Sequence, residues 1–99
     1  MRWSEVITVR SVGNCKEMMA STLRELIIDA ASDLGRDEIR VFRREKLDTD
    51  VCIVLLHNEK KTKSGGSPLG LRLVNALKEL GIVHHVVWIE LGREPNATL

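Results

Sequence analysis

No apolar stretch in this 99-residue chain approaches the ~20 residues that a membrane-crossing helix needs. The opening Met1-Arg2-Trp3-Ser4-Glu5 has none of the apolar core of a secretory leader. The charges nearly cancel, at a net +1, so no excess of one sign argues for nucleic acid or an anionic membrane as partner. Cysteine is scarce: Cys15 and Cys52 show no C-x-x-C spacing and no secretory context, which argues against a disulfide scaffold and leaves free thiols as the expectation. The phosphate-loop pattern is missing too, because no Lys-Ser or Lys-Thr follows Gly65-Gly66. These absences lead us to expect a cytoplasmic protein that engages neither nucleic acid nor membrane, and no motif calls for a cofactor.

What is present is an ordinary globular composition, 43% hydrophobic and 29% charged, in a chain of single-domain length. Folding at that size buries somewhat over ~60% of the surface that the unfolded chain exposes, which is a thin core. The expectation is one domain over residues 1–99, with a flexible tail over 92–99.

Apolar periodicity divides the chain into six elements. A first strand, Ser4 to Val12, points Ile7 and Val9 one way and Val6, Thr8 and Arg10 the other. Gly13 ends it, and Asn14 with Glu17 reads as the cap of a helix of near 20 residues whose apolar stripe runs Met19, Leu23, Leu26, Ile27, Ala30, Leu34. A second strand, Glu38 to Glu45, carries Arg40 and Arg44, which suits an edge guarded against pairing with other chains. The third, Asp50 to His57, is apolar at every position from Val51 to Leu56, as in a central strand covered on both sides. The lysine- and glycine-rich segment Asn58 to Gly66 reads as a solvated loop. Ser67 with Pro68 fixes the start of a second helix, with Leu69, Leu73, Val74, Leu77 and Leu80 inward and Gly81 at its end. The last strand, Ile82 to Leu91, sets Val83, His85, Val87, Ile89 and Leu91 against His84, Val86, Trp88 and Glu90.

Two strand-helix-strand units of this kind predict an α+β, ferredoxin-like βαββαβ domain, a four-stranded antiparallel sheet with both helices on one face. The other face then collects Val6, Thr8, Arg10, Phe42, Arg44, Cys52, Val54, Leu56, His84, Val86, Trp88 and Glu90. Left bare, its apolar members would form the kind of contiguous patch that soluble monomers avoid, so a second copy of the chain is the expected cover. Burying ~500 Å² of apolar surface per chain would contribute on the order of 12 kcal/mol, against association costs of similar scale.

On this element order, these helix lengths and the two-faced sheet, the stretch Ser4 to Leu91 resembles the dimeric α/β-barrel superfamily, which includes antibiotic-biosynthesis-type monooxygenases and stress-responsive barrel proteins. The resemblance implies a homodimer with a small-molecule cavity. It departs from the haem-degrading branch, whose pattern places a histidine on the second helix, since Ser67 to Leu80 has none. The tryptophan common just after the third strand in the monooxygenase branch is replaced here by His57 and Asn58.

The residues that carry chemistry are few. His84 and His85 are adjacent on a strand, so they point to opposite faces and cannot share one metal ion; no metal site is expected. His84 is the one acid/base candidate by the ordinary range of its imidazole. His85 reads as a core histidine hydrogen-bonded on the helix side. Thr8, Arg10, Arg44, His84 and Trp88 form the ligand-binding set, with the arginines clamping an acidic group and the indole stacking a ring. Against this stands the plainer reading of Trp88 as a dimer anchor and of the arginines as edge-strand solubilisers. The segment Lys60 to Pro68, ahead of a helix N-terminus, is a weak anion site beside its reading as a surface loop. The functional expectation is a homodimeric protein that binds or converts a small aromatic or acidic molecule in a sheet-lined cavity, with catalysis left open. The alternatives are an ACT-like regulatory module, with its ligand near Val12 to Cys15, and a structural or partner-binding adaptor.

Overall fold

The computed structural model describes residues 2–11, 16–34, 38–46, 49–58 and 65–92. Along the chain these form β1 (Trp3–Ser11), α1 (Lys16–Leu34), β2 (Glu38–Arg43), β3 (Asp50–His57), α2 (Pro68–Leu77) and β4 (Gly81–Ile89). Residues 12–15 before α1, residues 35–37 after it and all but the first residue of the expected flexible tail over 92–99 lie outside the described residues.

One sheet of order β2-β3-β1-β4 holds all four strands, and every neighbouring pair is antiparallel. Strands β1 and β2, joined through α1, are parallel with β3 inserted between them; β3 and β4, joined through α2, have β1 between them. This is the ferredoxin-like arrangement that the periodicity predicts. It leaves β2 and β4 as edges, and β2 carries the expected charges, with Arg40 and Glu38 paired at 3.0 Å in solvent.

Strand parity sorts the side chains into two faces. On the helical side the register lines up Val51, Val9 and Val83, then Ile53, Ile7 and His85, then Leu55, Glu5 and Val87. Ile7, Val9, Ile53 and Leu55 are sealed there beneath Leu23 of α1 and Leu73 and Leu77 of α2. Each such aliphatic side chain is worth roughly 1.5–3 kcal/mol in transfer from water. Helix α1 lies over β2, and α2 over β1 and β4.

The start of α2 is set locally, as Ser67 and Pro68 predict. Ser67 is extended (φ −78°, ψ 160°), its hydroxyl accepts the Gly70 N–H at 3.0 Å, and Pro68 occupies the position where a missing N–H costs nothing. The helix ends at Leu77, earlier than the Gly81 terminus expected from the stripe, because the chain tightens into a turn in which the Leu80 N–H bonds the Leu77 carbonyl. Leu80 stays buried even so.

Within one chain β3 is a central strand sealed on one side: Cys52, Val54 and Leu56 are half-buried, and neither described helix lies over that face. One expectation is corrected. The glycine segment before α2 is not solvated throughout, because Gly66 and Ser67 are buried against β1. Among the described residues no helix is long and apolar enough to cross a membrane.

Candidate functional site

Four rows cross the uncovered face of the sheet. Arg10 stands between Asp50 and Ile82; Thr8 between Cys52 and His84, with Phe42 beyond Cys52; Val6 between Val54 and Val86; Ser4 between Leu56 and Trp88. The first two rows and Arg44, whose N–H donates to the Asp50 carbonyl at 3.0 Å, enclose a pocket of about 560 Å³. That is ample for a small organic molecule, for which pockets of ~300–1,000 Å³ are usual. Thr8, Arg10, Arg44 and His84 of the ligand-binding set line it; Trp88 does not. Trp88 is four positions beyond His84 along β4, about 13 Å of strand, so parity shared with the pocket does not bring the indole into it.

The pocket is electropositive. Arg10 and Arg44 face one carboxylate, Asp50, which lies 3.5 Å from Nε of Arg10 and 3.2 Å from Nη1 of Arg44. Asp50 is largely shielded while both guanidinium groups reach into solvent. Cys52, on the pocket wall, is a free thiol, and burial pushes its pKa up, so it is held as the neutral thiol rather than as a nucleophilic thiolate. Cys15 lies outside the described residues.

A second cluster lies on the opposite face, and the sequence reading did not single out its centre. Glu5 is completely buried in an otherwise apolar row. Its Oε2 accepts the Ser67 hydroxyl and lies 2.6 Å from His57 Nε2; its Oε1 accepts the Ser67 N–H at 2.9 Å and lies 2.9 Å from His85 Nε2. Four donors meet the four lone-pair directions of one carboxylate. Burial pushes the Glu5 pKa up, but the Ser67 hydroxyl and N–H, then His57 and His85, outweigh it and hold the carboxyl below its ordinary 4.5. With Glu5 ionised, each Nε2 presents a proton to it. Trp3 stacks on His57 with ring centroids 4.1 Å apart.

Space around the carboxylate is taken up by backbone. A Cβ at Gly66 or at Gly70 would run into Oε1 of Glu5, and Gly66 also has φ +104°, where side chains are disfavoured. Helix α2 is thereby clamped at its first turn onto β1, β3 and β4.

This geometry settles several readings. His85 is the hydrogen-bonded core histidine that its parity predicts, and His84 faces the open side. The Ser67 hydroxyl donates to the carboxylate and not to an imidazole, so the cluster is no nucleophilic relay. The start of α2 already holds an anion, Glu5, on the Ser67 N–H, which removes the anion-site reading of Lys60 to Pro68 at that amide. The lysines of that segment lie outside the described residues, as does Val12 to Cys15, where the ACT-like reading puts its ligand. Among the described residues no group of acidic, histidine and cysteine side chains has the geometry of a metal site.

Glu5 was legible in one respect. It shares strand parity with Trp3, Ile7 and Val9, which marks a carboxylate on the buried face, and His57 and His85 carry the same mark on their own strands. Which buried donors meet it depends on the strand order, which parity alone does not give.

No family model matches the chain, and no curated protein matches it.

Proposed function

We propose that this chain is a small-molecule-binding protein that acts as a homodimer, two sheets meeting through their uncovered faces, and that it takes a flat acidic compound in the Thr8, Arg10, Arg44 and His84 pocket. One observation carries the reading: a pocket of about 560 Å³, rich in arginine, opens on a sheet face whose remaining rows are largely apolar. Arginine forks match carboxylates and phosphates, and Phe42 and Ile82 supply apolar walls for a ring or chain. Phe42, Ile82, Val86 and Trp88, each close to half exposed or more, are the surface that a second copy would cover. Trp88 then serves as an anchor between the two chains. His84 is the residue that acid/base chemistry in this pocket would use, since Cys52 is held as a thiol. A free thiol also suits a reducing compartment such as the cytoplasm.

Light scattering on the purified chain, followed by native mass spectrometry, tests the proposal. The expected result is twice the 11.1 kDa chain mass, with an acidic compound of low mass released on denaturation. A monomer that carries nothing overturns it, and a dimer with a filled, ligand-free interface points to the adaptor reading.

A further inference from the structure

Resting on that reading of the pocket, we infer that Asp50 is a resident counter-ion of the Arg10 and Arg44 pair, held loosely enough that an acidic ligand binds the same guanidinium groups beside it, and that it thereby sets how strong an acid the pocket accepts. Asp50 touches each arginine at one point, Nε of Arg10 at 3.5 Å and Nη1 of Arg44 at 3.2 Å, and the first of these is beyond a good hydrogen bond. Neither contact is the two-pronged pairing that a guanidinium offers a carboxylate, so the forks of both side chains remain for another anion. The geometry is that of a loose placeholder. Asp50 itself cannot leave, because it is fixed in the strand opposite Arg10 and takes a hydroxyl contact from Thr49 at 3.4 Å. A ligand acid must therefore bind beside a fixed negative charge. Neutral and weakly acidic compounds gain nothing over Asp50, whereas a fully ionised carboxylate or phosphate on a flat apolar body gains both forks. With two guanidinium groups against one carboxylate, the pocket stays cationic even with Asp50 present.

The test is titration of benzoate into the wild-type chain and into Asp50→Asn, followed through the amide signals of Thr8, Cys52 and His84, with benzamide as the uncharged counterpart. Removing one unit charge some 6 Å from the ligand at an effective dielectric of about 40 corresponds to about tenfold tighter benzoate binding in D50N, with benzamide unchanged. Arg10→Ala and Arg44→Ala should each weaken benzoate in both backgrounds. Asp50→Ser, which removes the same charge, stands in if D50N loses its dispersed amide spectrum. Benzoate bound by the wild type and held equally or more weakly by D50N overturns the placeholder role and leaves the pocket standing. No saturable benzoate binding by either chain overturns both.

Discussion

Glu5 ties together much of the sheet, because one buried charge joins three strands and the first turn of α2. Replacing it with Gln keeps the shape but turns one acceptor into an NH₂ that faces donors already in place. We expect Glu5→Gln to cost about 3 kcal/mol, the scale for breaking one side of a buried charged network, read as a lower midpoint in urea with unchanged slope. The pH dependence has a definite sign. A carboxyl whose folded pKa lies below its unfolded value gives stability that is whole above the ordinary 4.5 and is lost as pH falls towards the lower folded value. The gap between wild type and E5Q should therefore narrow below pH 4.5, and a gap that widens there would contradict the assignment. Gly70 gives an independent check. Gly to Ala inside a helix normally gains up to about 1 kcal/mol, but here the added methyl meets Oε1 of Glu5, so Gly70→Ala should lower the melting temperature instead.

The elements were readable where one periodicity governs and unreadable where two elements meet. An unbroken apolar run such as Val51 to Leu56 gives the existence of a strand, while its alternating burial, like that of Val83 to Trp88, comes from which side of the sheet is covered. The Ser67-Pro68 start of α2 is equally local, and both its cap bond and its backbone geometry are as expected. The end of α2 was misplaced because the stripe through Leu80 continues in a turn that buries the same leucine without helical bonds. The pocket was partly legible: Thr8, Arg10, Arg44 and His84 share a parity and fall within two adjacent rows. Trp88 shares the parity but not the rows, a distinction that needs the cross-strand register. Asp50 escaped notice because it looked like the first residue of a strand, and only the pairing Arg10 with Asp50 puts it between two guanidinium groups.

At the scale of the whole molecule, the two faces of the sheet have unlike energetics. The helical face is closed over β1 and β3 by aliphatic packing and one satisfied charge, while Val41 and Ile89 on its edge strands stay exposed. The other exposes Phe42, Ile82, Val86 and Trp88 on a single chain. If a second copy covers this face, Trp88→Glu should place a charge in the contact and yield a monomer by light scattering. The same substitution should leave the unfolding free energy of the monomer, from urea titration, within about 0.5 kcal/mol of wild type measured at concentrations where the wild type is dissociated, as for a surface site. A W88E chain that still elutes and scatters as a dimer would move the contact elsewhere.

The stacking of Trp3 on His57, with Trp3 3% exposed against 61% for Trp88, gives the molecule a pair of built-in fluorescent reporters. The chain has no other indole, so emission divides cleanly between a sealed fluorophore and a wet one. Acrylamide should extinguish the Trp88 share in dilute solution and spare the Trp3 share until the sheet itself opens, allowing association and unfolding to be followed separately in one cuvette without any label.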